Sequence, residues 1–217
     1  MSDLVLNGKP FKGIKNLIFD LGGVIIGIDY FSTINKFKEL GIENFDSLYG
    51  QFKQTNLFDL YEKGLIAPAQ FRESIQQIGG IQIENDLFDN AWNAMILEMP
   101  SKNPQLLQNL KLHFNTYLLS NTNEIHLEHF FKYVDNEHDI KDFDQFFHKT
   151  YYSCRMSMRK PDVEIFQKII DENHLIPEET LFIDDTFINL EGALQTNIQA
   201  YHLQAGEQIC DLFSEYI

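Results

Sequence analysis

Asn16-Leu17-Ile18-Phe19-Asp20-Leu21-Gly22-Gly23-Val24 runs from a hydrophobic strand into a carboxylate and then a Gly-Gly turn. A buried strand that ends by delivering Asp20 into such a turn is building a site. Glycines let the backbone bend and approach a ligand closely without a side-chain penalty. In an open α/β sheet, ligands bind beyond the carboxyl ends of the strands, where these turns begin. An ordinary strand-to-loop turn with Asp as a cap has the same local pattern, so the rest of the chain must decide.

Three further segments decide it. Leu118-Leu119-Ser120-Asn121-Thr122-Asn123 is a strand ending in small polar groups. Arg159-Lys160-Pro161-Asp162 is a basic pair that opens a helix. Leu181-Phe182-Ile183-Asp184-Asp185-Thr186 is a strand ending in two adjacent carboxylates. The order along the chain is therefore Asp, Ser/Asn, Lys, Asp-Asp.

Short apolar runs bounded by polar residues predict strands at 15–20, 116–120, 147–153, 181–184 and 199–203. Helical patterns separate them: Leu106, Leu107 and Leu110 share one face, as do Ile165, Phe166, Ile169 and Ile170. Strands alternating with helices imply a parallel sheet with right-handed crossovers. Between the first two strands, roughly 30–98, there is no good strand pattern. Amphipathic helices are expected there over 30–40, 58–63, 68–78 and 86–97, with Gly41, Gly64 and Gly79-Gly80 as stops. The expected fold class is α/β: a Rossmann-like parallel sheet flanked by helices. Its core is 14–29 together with 99–217, and 30–98 is an inserted α-helical cap.

The bulk properties narrow the class. The chain has 217 residues, 44% of them hydrophobic and 19 of them Phe, which suits a well-packed globular protein. Its 17 basic and 32 acidic residues give a formal net charge of −15. Nucleic-acid backbones and anionic membranes need clustered Lys/Arg, so neither is an expected partner. Cys154 and Cys210 are too few for a disulfide framework, and the first dozen residues hold no apolar signal segment. No run approaches a membrane span. A cytoplasmic protein with reduced thiols is the expectation.

In order and context, the four segments resemble the haloacid dehalogenase superfamily, most of whose members are magnesium-dependent phosphatases. The resemblance covers nearly all of the chain after the first dozen residues. It implies a small-molecule phosphate ester as substrate and Mg2+ as cofactor. It makes Asp20 the nucleophile that accepts the phosphoryl group as an aspartyl phosphate. It makes Asp20, the Gly22 carbonyl and Asp185 the metal ligands, with Asp184 acting directly or through water. Ser120 and the backbone N–H of Asn121 would hold a phosphoryl oxygen, and Lys160 would balance charge. The chemistry suits these residue types. A carboxylate nucleophile divides the reaction into two steps, and a hard cation relieves its repulsion from the anionic ester.

One departure stands out. Most phosphatases of the superfamily carry a general-acid Asp two residues after the nucleophile, where this chain has Gly22. Phe19-Asp20-Leu21-Gly22-Gly23-Val24, Ile28-Asp29, Tyr61-Glu62-Lys63-Gly64-Leu65-Ile66, Met158-Arg159-Lys160-Pro161 and Ser120-Asn121-Thr122-Asn123-Glu124-Ile125-His126 are similar to a bacterial subgroup that includes α-D-glucose-1-phosphate phosphatase. That subgroup also has Gly at this place. The resemblance implies a sugar phosphate such as glucose 1-phosphate, whose leaving group tolerates a missing acid. His126 is a substitute acid or a structural His, and Asp29 a substrate contact or a loop acid. Two other readings remain open at this stage. One is a metal-free haloacid dehalogenase, against which the Asp184-Asp185 pair argues. The other is a non-catalytic binding protein, for which Gly22 argues.

Overall fold

The computed structural model describes residues 3–50, 53–54 and 56–217. Five parallel strands form the central sheet: β1 (Asn16–Phe19), β2 (Asn115–Ser120), β3 (Lys149–Tyr152), β4 (Thr180–Asp184) and β5 (Gln199–His202). Their spatial order is β3-β2-β1-β4-β5, with β1 in the centre. Each predicted strand is present, displaced by at most two residues at either end. Parallel strands need crossovers, and helices supply them on both faces.

Alternation along β1 shows how the sheet is buried. Leu17 and Phe19 face one apolar cluster, with Leu118, Leu181 and Ile183 from neighbouring strands. Leu106, Leu107 and Leu110 of α5 (Asn103–His113) and Leu127 and Phe130 of α6 (Glu124–His138) cover that face. Ile18 points the other way, beside Leu119 and Phe182. Ile165, Phe166 and Ile169 of α7 (Val163–Asn173) and Leu190 of α8 (Phe187–Leu194) cover it there. Each such side chain contributes about 1.5–3 kcal/mol of burial. Both faces are apolar, so the three central strands read as hydrophobic runs without alternation.

Residues before position 14 add an element absent from the sequence reading. Leu4–Leu6 and Lys9–Phe11 pair as an antiparallel hairpin, and Leu4, Leu6 and Phe11 join the first cluster. The hairpin is only three residues a side, too short to show a period.

Between β1 and β2 lie α1 (Tyr30–Glu39), α2 (Asn56–Glu62), α3 (Pro68–Gly79) and α4 (Asn85–Asn93), with a one-turn helix at Phe45–Leu48. They enclose a second apolar cluster, mostly aromatic: Phe37 stacks on Phe45 at 4.2 Å and Tyr61 on Phe71 at 4.1 Å. The expected absence of strands there needs correction. Tyr49–Gly50 pairs antiparallel with Lys53–Gln54. A two-residue ladder leaves no periodicity to read. The helix expected over 86–97 stops at Asn93, because the following residues pair with the chain on its way into the insertion. Asp29 N donates to Met95 O at 2.9 Å, and Leu97 N to Gly27 O at 2.9 Å. The two connections to the sheet are thus hydrogen-bonded to each other.

Candidate active site

Strand register assembles the site. β1 and β4 are neighbours with Phe19 opposite Ile183, so the next residues, Asp20 and Asp184, emerge side by side. On the other flank of β1, β2 ends at Ser120. Asp20, Asp184 and Asp185 each offer a carboxylate oxygen within 4.8 Å of the others. Asp20, Gly22, Ser120, Asn121, Lys160 and Asp185 line one cavity of about 400 Å³. Asp184 lies behind them, fully buried.

Lys160 is the cation of this cluster. Its Nζ lies 2.7 Å from Asp20 Oδ1 and 2.7 Å from Asp184 Oδ2. The side chain is only 1% exposed, which excludes a solvated surface lysine. Burial pulls its pKa down, and Asp184 and Asp20 outweigh that and raise it, so the ammonium stays charged. The expectation that the basic pair opens a helix needs correction. α7 starts at Val163 with Asp162 as its N-cap, so Lys160 sits in the preceding loop. What fixes the loop is Asn121. Its Oδ1 accepts from Lys160 N and its Nδ2 donates to Lys160 O, both at 2.9 Å.

Asp184 is the most constrained acid. It accepts from Lys160 Nζ, from Thr186 N at 2.7 Å and from Asn189 Nδ2 at 3.0 and 3.1 Å. Asn189 was missed in the sequence, although a carboxamide in the first turn of the helix after Asp184-Asp185 is a readable signal. Asp20 is held well above the usual carboxylate range, by burial first and by Asp184 and Asp185, with Lys160 opposing. Asp185 is raised by burial and Asp184. Three acids facing one lysine carry excess negative charge, and a hard divalent cation with oxygen ligands matches that donor set.

The two glycines of the turn have different reasons. Gly23 has φ +75°, and a Cβ there would lie 2.3 Å from Asp185 Oδ2, so the backbone passes directly against a carboxylate of the cluster. A Cβ at Gly22 would lie 2.9 Å from Ile28 Cγ1. The space a side chain at position 22 would take is held by an aliphatic one.

The far wall of the cavity comes from the inserted helices and from α6. Arg159, whose role the sequence left open, pairs with Asp59 at 3.2 Å and Glu62 at 3.0 Å, both on α2. His126 also faces the cavity. It stacks on Trp92 with ring centroids 4.8 Å apart, and its Nδ1 donates to Asn93 Oδ1 at 2.8 Å. Burial drives its pKa down to about 3. The imidazole is therefore neutral near pH 7 and carries no spare proton for a leaving group. Asn123 caps α6, accepting from His126 N at 3.1 Å and from Trp92 Nε1 at 3.3 Å. Asp29 is the N-cap of α1, accepting from Phe31 N at 3.0 Å and Ser32 Oγ at 2.6 Å, which accounts for it without a substrate.

Residues 14–196 match the haloacid dehalogenase-like hydrolase family. The chain is a haloacid dehalogenase-like hydrolase. A crystal structure of a HAD family enzyme of Bacteroides thetaiotaomicron, in complex with magnesium and inorganic phosphate, is 38% identical and superposes with a TM-score of 0.82. The superposition covers 93% of this chain and 100% of that one. An aspartate-to-alanine variant of that enzyme, in the same complex, superposes at 0.85 with 37% identity, over 93% and 99% of the two chains. A D-ribitol-5-phosphate phosphatase of Bacteroides thetaiotaomicron is 28% identical over 193 residues, 89% of this hydrolase and 93% of that protein. Among the described residues, no helix of the hydrolase is long and apolar enough to cross a membrane.

Proposed function

We propose that the protein is a magnesium-dependent phosphatase of a small phosphorylated sugar or polyol. The observation that carries the reading is the placement of Lys160 Nζ, 2.7 Å from both Asp20 and Asp184, at the ends of adjacent strands. Three carboxylates within 4.8 Å of one another support a cation site rather than a metal-free dehalogenase. The magnesium and phosphate in a 38% identical relative support the same cofactor and a phosphoryl-binding site here.

In this reading Asp20, Asp185 and the Gly22 carbonyl hold the cation, and Asp184 orients Lys160 and supports the cluster. The bound cation supplies charge neutralisation for the phosphoryl oxygens and the nucleophile. Asp20 attacks phosphorus, forming an aspartyl phosphate as the bond to the leaving oxygen breaks. Lys160 offsets the charge gathered between nucleophile and phosphoryl group. Ser120 and the Asn121 N–H hold a phosphoryl oxygen, while the Asn121 side chain keeps Lys160 in place. Water then attacks the phosphoryl group and regenerates Asp20. With Gly22 at the usual acid position and His126 neutral, the leaving oxygen takes its proton from water. Rates are therefore expected to depend steeply on leaving-group acidity.

The helices over 30–98 act as a cap that closes over the cavity and excludes water during the chemistry. Their separate apolar cluster supports this, as do the paired connections at Gly27 and Leu97. The cytoplasm suits such a substrate. Glucose 1-phosphate follows from the subgroup resemblance, and ribitol 5-phosphate from the relative named for it. The test is a turnover screen of sugar and polyol phosphates with magnesium. Asp20→Asn should keep the fold and abolish hydrolysis, and near-normal turnover in that variant would remove Asp20 as the nucleophile.

A further inference from the structure

Among the described residues, none of β5 lines the cavity, yet the last residue of that strand touches one that does. His202 lies opposite Asp184 in the parallel register of β4 and β5. Its side chain reaches one residue further, and Nε2 meets the Asp185 carbonyl oxygen at 2.9 Å. A carbonyl only accepts, so this nitrogen carries a proton and donates. Phe187 packs against the imidazole with ring centroids 5.8 Å apart, and Leu203 N donates to Asp184 O at 3.0 Å. The ring is thus held at the strand end while it holds Asp185.

Asp185 stands between two ladders and belongs to neither. Strand β4 ends at Asp184. Helix α8 starts at Phe187 with Thr186 as its N-cap, and the N-cap carbonyl is the first to accept inside a helix. The Asp185 carbonyl therefore has no helical partner, and His202 from the edge strand supplies one. The carboxylate end is restrained separately. Thr186 Oγ1 donates to Asp185 Oδ1 at 3.3 Å, and a Cβ at Gly23 would lie 2.3 Å from Oδ2. The residue is fixed at its main chain by His202 and at its carboxylate by Thr186 and the Gly23 backbone. Magnesium demands a near-ideal octahedron at about 2.0–2.1 Å, whereas calcium accepts variable oxygen geometry at about 2.3–2.6 Å. A carboxylate that cannot shift favours the smaller, stricter ion.

We propose that His202 is a positioning residue for Asp185, and that by fixing the Asp185 main chain it sets the preference of the site for magnesium over calcium. This rests on the phosphatase reading only for the assignment of Asp185 as a cation ligand. Calorimetric titrations with magnesium alone and with calcium alone test it without any substrate. His202→Phe keeps an aromatic ring beside Phe187 and removes the donor, and His202→Leu removes the same donor should the Phe variant not fold. Magnesium affinity should fall about 10-fold or more, the scale of losing the hydrogen-bond partner of a metal ligand. Calcium affinity should fall less than about threefold, because that ion tolerates a looser ligand. His202→Gln returns an N–H at similar reach and should bring magnesium affinity back to within about threefold of the unmodified protein. His148→Phe is the control. The His148 Nδ1 accepts from Thr116 N at 3.0 Å near the start of β2, at the other end of the sheet. Losing that bond should leave both ion affinities unchanged.

Equal losses for magnesium and calcium, no loss for either, or no recovery with Gln would overturn the inference. So would the same magnesium loss in His148→Phe. The expected pattern in a protein whose unmodified form turns over no ester would uphold the inference and overturn the phosphatase reading instead. An unmodified protein that binds no magnesium would overturn both.

Discussion

His126 should make the fold acid-sensitive by an amount that one substitution removes. Its ordinary pKa is 6.5, and burial lowers it to about 3 in the folded protein. The folded state therefore excludes a proton that the unfolded chain accepts. Between these values the unfolded state binds more protons, so stability falls as pH drops from about 6.5 towards 3. At about 1.4 kcal/mol per pH unit the full loss approaches about 5 kcal/mol, of which about 2 kcal/mol is present at pH 5. That is about 4–8 °C in Tm for a chain of this size. The surroundings explain why the charge is refused: Trp92 covers one ring face, Asn93 uses Nδ1, and His129 opposes a second positive charge. Thermal melts at pH 8 and pH 5 on the unmodified protein and on His126→Gln supply the test. The unmodified protein should lose about 2 kcal/mol more than the variant over that interval. The raised acids at Asp20 and Asp185 are present in both and cancel. Parallel losses in the two proteins, or an imidazole resonance that titrates near pH 6.5, would refute the reasoning.

Other perturbations test the remaining assignments. Lys160→Ala should lower kcat by about 100-fold or more, the scale of one preorganised electrostatic contact, and a loss under about threefold would make the lysine structural only. Asp185→Ala should weaken magnesium binding in a calorimetric titration and lower turnover with it, and full activity in excess chelator would contradict a metal site. Gly22→Asp should not raise turnover, because its Cβ would lie 2.9 Å from Ile28 Cγ1, and an activated variant would show that the usual acid can be restored by one residue.

The three central strands were legible because each is a short apolar run buried on both faces and ended by polar or charged groups. The edge strands, Lys149–Tyr152 and Gln199–His202, are partly exposed and were marked by their Tyr residues and flanking apolar groups. Asp20, Ser120 and Asp184-Asp185 were legible for the same reason, since a parallel sheet gathers its strand ends on one side. The inserted helices declared themselves through Phe, Trp and Ile at helical spacing. What stayed hidden depends on partners far along the chain. The role of Arg159 stayed open because its partners, Asp59 and Glu62, lie about a hundred positions earlier. Asn121 gave no sign of gripping the Lys160 backbone, since that contact spans 39 positions. His126 carries no mark of its neutrality in its local sequence. Trp92 and Asn93 impose it from α4.

Trp92 is the single tryptophan of the chain, and it stacks on His126 where α4 meets α6. Every photon of indole emission therefore originates at the seam between the inserted helices and the sheet domain. The ring is 1% exposed, so its resting spectrum should be blue-shifted. Any swing of those helices away from α6 would wet the indole and move the emission to longer wavelength. If the inserted helices open as proposed, this native indole would report it in stopped flow without a label.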